Sequence, residues 1–159
     1  MQLYMKQKIW SIGDHFTVRD HQDQDRWFVQ GEVFSFGKRL HIMDTNNVER
    51  ALLWQKVWSF LPCYNIEVHG IVIGQVVKDF TFLKPHYHVE GMPLELSGDY
   101  LSHEYSLSEN GIPIMRISKQ WFTWGDSYLL DLADQADELV CLCIALAVDC
   151  AVQTQRNSN

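Results

Sequence analysis

The sequence predicts a mainly β protein: a closed barrel of about twelve strands around one hydrophobic C-terminal helix. Three observations carry that reading. Short alternating segments follow one another, separated by turn residues, from Met1 to Leu132. The segment of residues 134–153 is apolar on every face: its run from Leu139 to Val148 has no polar residue, and Asp149 is the first to interrupt it. No linker, charge block or low-complexity tract divides the chain. A helix apolar all round must be wrapped by something. Eight strands close a barrel whose interior side chains just fill, whereas about twelve leave room for a helix roughly 10–12 Å across.

The elements follow in order. Met1–Trp10 alternates and reads as a strand, as does His15–Arg19 after the Gly13-Asp14 turn. Asp20–Asp25 is a polar hairpin loop. Arg26–Phe36 is a long strand in which Gly31 suggests a bulge. Arg39–Asp44 and Val48–Val57 come next, divided by Asn46-Asn47. Helix competes over Val48–Phe60, but an internal repeat favours strand. Gly70-Ile71-Val72-Ile73 reappears as Gly111-Ile112-Pro113-Ile114, and Lys78-Asp79-Phe80 as Lys119-Gln120-Trp121. Tyr87 corresponds to Tyr128, and Lys56-Val57-Trp58 with Tyr64 is a looser third copy. The unit is a strand ending in Lys-x-aromatic, a loop, and a Tyr opening the next strand. Tyr64–His69, Ile71–Lys78, Tyr87–Val89, Leu94–Ser97, His103–Leu107, Pro113–Lys119 and Ser127–Leu132 complete the strands; Phe80–Lys84 and Trp121–Trp124 are irregular or a single helical turn. The helix opens on Asp134, Asp137 and Glu138, with Asp134 as N-cap. Leu139, Leu142, Cys143, Leu146, Trp58, Phe80 and Trp121 are the expected structural core. Asp149 should emerge near the far mouth, met by water or a basic side chain.

Composition narrows the function. The 159 residues are 47% hydrophobic and 13% aromatic, which suits one ordered domain spanning residues 1–159. The net charge of −7 argues against a nucleic-acid partner. Met1–Trp10 has no apolar signal-peptide core, and three of four Cys fall on the helix rather than in a disulfide framework, so a cytoplasmic location is expected. The Leu139–Val148 run is shorter than the roughly 18 residues of a membrane span, so no transmembrane segment is expected.

Met5-Lys6-Gln7-Lys8, Leu40-His41-Ile42-Met43-Asp44, Gln55-Lys56-Val57-Trp58-Ser59-Phe60 and the Gly111–Leu132 unit running into the helix resemble the LURP-one-related family of the tubby C-terminal-like fold. The resemblance covers nearly the whole chain and implies a twelve-stranded barrel threaded by its C-terminal helix. Phospholipid scramblases are similar in fold, and tubby proteins bind phosphoinositides in a Lys/Arg pocket on the barrel wall. No paired basic cluster here matches that pocket.

No catalytic residue is assigned, and no cofactor. His86 and His88 share one face of a strand and are the candidate metal ligands, but a third ligand, His103 or His69, would have to arrive from elsewhere. Paired rim histidines without metal are the favoured reading. Asp20, Asp23 and Asp25 do not follow the calcium-loop spacing and read as a solvated loop. The helix cysteines read as inert core thiols. Lys6, Lys8, Lys38, Arg39, Lys56, Lys78, Arg116 and Lys119 are dispersed over the exterior, with a local phosphate groove as the alternative. The sequence therefore points to a non-enzymatic binding or scaffold domain whose partner is a lipid headgroup, a small anion or a protein. The alternatives are a metal-dependent or hydrolytic enzyme using His86 and His88, and a scramblase-like membrane-associated role.

Overall fold

The computed structural model describes residues 1–6, 15–32, 36–122 and 125–158. Twelve strands precede one helix: β1 (Gln2–Lys6), β2 (His15–Asp20), β3 (Asp25–Gly31), β4 (Arg39–Met43), β5 (Glu49–Gln55), β6 (Cys63–Val68), β7 (Ile71–Lys78), β8 (Tyr87–Glu90), β9 (Leu94–Asp99), β10 (Glu104–Glu109), β11 (Ile112–Phe122), β12 (Gly125–Leu132) and α1 (Glu138–Ser158). They form one antiparallel sheet in the order β8-β7-β6-β5-β4-β3-β2-β1-β12-β11-β10-β9. Among the described residues, only β1 against β12 joins strands distant in sequence, with Leu3 opposite Leu130 and Met5 opposite Tyr128. The barrel is nearly closed. At the β8–β9 seam, where no ladder forms, Tyr100 stacks edge-on against Tyr87 at 5.1 Å and tilts against Tyr105 at 5.3 Å.

Alternation puts one face of each strand inside. Leu3, Val18, Val29, Ile42, Leu53, Ile66, Val76, Leu107 and Leu130 are all buried and pack on Leu142, Cys143, Ile144, Leu146 and Val148 of α1. By length and composition α1 could cross a membrane, a longer apolar element than the Leu139–Val148 run suggests, but 72% of its apolar window is buried inside the barrel.

The two ends of the barrel are built differently. Connections after even-numbered strands are tight and polar. His69-Gly70 and Asn110-Gly111 have φ of 50°, 78°, 50° and 79°, the left-handed pair of a two-residue hairpin. Asp20 Oδ1 accepts from the Gln22 and Gln24 amides, and Asp44 Oδ1 from those of Asn46 and Val48. Four strand bulges, at Val18/Arg19, Ile42/Met43, Ile66/Glu67 and Leu107/Ser108, gather at this end, where strands must curl to close. Among the described residues, the connections after β3, β5, β7 and β9 form the other end.

Several expectations need correction. Gly31 pairs regularly with Leu40, and the β3 ladder bulges instead against the end of β2. β3 stops at Gly31, short of Phe36. The helix starts at Glu138, not at Asp134. Its N-cap is Asp137, whose Oδ1 accepts from the Val140 amide at 3.0 Å. Residues 133–137 are used in crossing from wall to axis: Ala133 N donates to Ile114 O, and Ala136 N closes a turn onto Ala133 O. Glu138 then anchors the helix entry, taking Arg26 at 3.2 and 2.7 Å and Trp27 Nε1 at 2.7 Å.

The later helix start bears on Asp149. It is only 3% exposed and meets the β9–β10 connection at the far end of the barrel, so it lies near that mouth but closed to water. A basic side chain does meet it there: His103 Nδ1 approaches Asp149 Oδ1 to 2.8 Å, although neither atom has hydrogen-bond alignment. Trp58 and Phe80, expected in the core, are 90% and 68% exposed. Each sits past the end of its strand, where no wall covers it. Trp121 pairs with Asp126 in the β11–β12 ladder, and its side chain lies outside the described residues, as does the turn at Gly13-Asp14.

Candidate functional site

The sequence repeat builds the mouth where α1 ends. Lys56 follows β5 and Lys78 closes β7, so each Lys-x-aromatic unit marks that end of the barrel. The tyrosines that open the following strands, Tyr64, Tyr87 and Tyr128, are buried. Tyr64 Oη lies 2.7 Å from Thr154 Oγ1, and the Tyr87 hydroxyl donates to Gln155 Oε1 at 3.4 Å. Arg156 reaches the Leu101 carbonyl at 3.4 Å. The inward half of the repeat thus grips the last turns of the helix.

The outward half is apolar and uncovered. Trp58, Phe60, Phe82 and Leu83 are 90%, 92%, 90% and 96% exposed, and Phe36 and Leu101 add to them from neighbouring connections. Phe36 lies 6.3 Å from Trp58, and Phe80 meets Phe82 edge-on at 5.3 Å. The connections are held in place from below. Gln55 N donates to Lys38 O, Lys56 N to Cys63 O, and Asp79 N to His86 O. Gly37, at φ 83°, packs so closely on Val57 that a Cβ would come within 2.7 Å of its methyl. Lys56 and Lys84 lie exposed among these aromatic residues. Sequence reasoning missed this surface. The available signal was to read every second connector of the meander together, since those share an end.

His86 and His88 lie beside it. Asp79 bridges them, accepting at Nδ1 of both rings, and His88 Nε2 lies 2.9 Å from Glu90 Oε1. Gln75 Nε2 donates to the other Glu90 oxygen. Among the described residues no three His, Cys, Asp or Glu side chains are arranged to hold a metal ion. His103 is committed to Asp149, and His69 lies in the hairpin turn at the other end of the barrel. Asp20 is taken by backbone amides, and Asp23 and Asp25 by Arg19. All four cysteines are buried and unpaired, and burial pushes the Cys150 thiol up to about 12.

The cluster has a pH signature. The Glu90 contact first, then Asp79, raises His88 above its ordinary value against burial. Burial is the largest single influence on Asp79 and pushes it up, but the two histidines together hold it below the carboxylate range. A raised imidazole stabilises the fold below its unfolded value of roughly 6.5, and that contribution is lost as pH rises through the higher folded value. The lowered carboxylates act above roughly 4, and their contribution is lost as pH falls through their folded values. The cluster therefore acts most between roughly pH 4 and 6.5. Compared with His88→Gln, the native chain should melt about 1–2 °C higher at pH 6, with the gap closing as pH rises through the raised His88 value; water screening keeps it small. A pH-independent gap in melting scans would rule the linkage out.

A groove of about 690 Å³ on the wall is lined by Arg116 together with Glu104 and Asp131. Its charge is mixed, so it is not the basic groove that a headgroup site on the wall requires.

The family model described as LURP-one-related matches residues 1–149. The chain belongs to the LURP-one-related family. It is 36% identical over 149 residues to the uncharacterized protein YxjI of Bacillus subtilis (strain 168), covering 94% of this chain and 92% of that one. An Arabidopsis thaliana protein of known X-ray structure superposes with a TM-score of 0.61 at 10% identity, over 93% of this chain and 89% of the other. At that identity the likeness concerns the fold alone: the LURP-one-related chain keeps the barrel and threaded helix of its plant neighbour.

Proposed function

We propose that this LURP-one-related chain is a non-enzymatic binding domain that meets its partner at the mouth where α1 ends. One observation carries the reading: Trp58, Phe60, Phe82 and Leu83, on two separate connections, are each at least 90% exposed. Uncovered apolar side chains gathered at one end of a soluble fold mark a contact surface. The helix fills the barrel axis, so the mouth and not an interior cavity is the accessible place.

The test is photo-crosslinking in cells of full-length protein carrying benzoylphenylalanine at Phe82, at Trp58 or, on the opposite end, at Asn46. Adducts from Phe82 and Trp58, with none from Asn46, are expected. Equal labelling from both ends, or none from Phe82 and Trp58, would overturn the assignment. The enzyme alternative has its own check. Elemental analysis of untagged protein should show substoichiometric zinc, nickel and iron. One equivalent of metal that disappears in His86→Ala/His88→Ala would favour a metal-dependent enzyme instead.

A further inference from the structure

We infer that the partner met at this mouth is the surface of an anionic lipid bilayer, into which the aromatic loop tips insert. The inference rests on the proposed binding mouth and adds the chemistry of what covers it.

Three features favour a bilayer over a protein partner or a second copy. The first is how the apolar groups are displayed. Trp58 and Phe60 come from the β5–β6 connection, Phe80, Phe82 and Leu83 from β7–β8, and Leu101 from β9–β10. They stand on three connections of one barrel end, and none of them lines either of the grooves on the wall. A protein partner or a second copy needs a shaped, contiguous surface. A bilayer interface needs only side chains at a common end, and Trp and other aromatics are favoured at the depth where acyl chains meet headgroups.

The second feature is charge. Exposed Lys56 and Lys84 stand among those tips, and Arg156 lies on the last turn of α1 beside Leu101. Lysines flanking inserted aromatics complement anionic headgroups. The third is the contrast with the other end. Its described turns, residues 21–24, 44–48, 69–70, 91–93, 110–111 and 133–137, hold Asp23, Asp44, Asp134 and Asp137 but no Lys, Arg or aromatic ring other than histidine. The chain carries a net charge of −7; near the second end Arg19, Arg26 and Arg50 are each paired with an acid, whereas Lys56 and Lys84 stand exposed on the connections that carry the aromatics. Ile71, Val72 and Ile112 are exposed at that second end, but as aliphatic strand positions beside acids and not on projecting loops. An anionic surface would therefore repel one end and attract the other, which fixes orientation as well as affinity.

The experiment is flotation of the pure full-length protein with vesicles. Phosphatidylcholine vesicles containing phosphatidylserine should carry it upward, and pure phosphatidylcholine should carry less. Trp58→Ser/Phe82→Ser should weaken flotation by about tenfold or more while leaving Tm unchanged, because both side chains leave solvent only on insertion. Lys56→Glu/Lys84→Glu should remove the dependence on phosphatidylserine. Ile71→Ser/Ile112→Ser, at the other end, should float like the native chain.

Native protein that stays at the bottom, or equal flotation of Trp58→Ser/Phe82→Ser, overturns the lipid assignment. So does a lipid-free dimer that Trp58→Ser/Phe82→Ser converts to monomer. If flotation fails while Phe82 still crosslinks to a protein in cells, only the lipid assignment falls and the binding mouth stands. If both fail, both readings fall.

Discussion

Leu142→Ala and Leu146→Ala should each destabilise the protein by about 2–5 kcal/mol. Both side chains are fully buried, one turn apart, in the middle of α1. They are surrounded on all sides by the inward faces of a nearly closed sheet. A wall tied by ladders everywhere but at the β8–β9 seam resists collapsing inward to refill the lost volume, so the cavity term adds to the transfer term. For a fold stable by about 5–15 kcal/mol, either loss is a large fraction. Urea denaturation would measure it, and losses below about 1 kcal/mol for both would mean that the helix is not the centre of the core. Ending the chain after Ala133 should leave no cooperative fold, since Leu53, Ile66, Val76 and Leu130 would line an empty interior. A soluble truncation with a sharp melting transition would refute that architecture.

Removing either member of the Asp149–His103 pair should cost about 3–5 kcal/mol. Asp149 and His103 are 3% and 6% exposed, and they meet at 2.8 Å between the helix and the β9–β10 connection. The surroundings offer little else. His103 stacks on Tyr128 with centroids 4.4 Å apart, and Tyr105 spends its hydroxyl on the Ala145 carbonyl at 3.4 Å. Burial first, and the Asp149 charge second, push that hydroxyl well above its ordinary value. Asp149→Ala thus leaves a buried ring nitrogen facing nothing, and His103→Asn leaves a buried carboxylate. Asn suits the site because residue 103 has φ 56°, a conformation it tolerates better than most. The double variant should lose at least about 1 kcal/mol less than the sum of the single ones. Small and additive losses would show that the pair is incidental to folding.

The sequence by itself determined most of the architecture. The period-two alternation of Leu40, Ile42, Ala51 and Leu53 assigns the inner face of its strands, because successive side chains in a strand point to opposite sides. Asn110-Gly111 and His69-Gly70 close hairpins through backbone geometry that residues of those types favour locally. The apolar Leu139–Val148 run requires a surrounding wall whatever its identity. The Lys-x-aromatic repeat was also legible, but its meaning was not: the same unit buries Tyr64 and Tyr87 against the helix end and leaves Trp58 and Phe80 in solvent. Only the tertiary structure decided that, because burial depends on what neighbouring connections cover, and no local pattern encodes the position of another loop. Asp134 and Asp137 are both sound caps by type. The choice between them follows from the distance the chain must cross from wall to axis, and that choice moves the helix start toward the C-terminus and leaves Asp149 closed to water beside His103. The collection of exposed aromatics at one end follows from the antiparallel up-and-down order of the strands, which puts every second connector at the same rim.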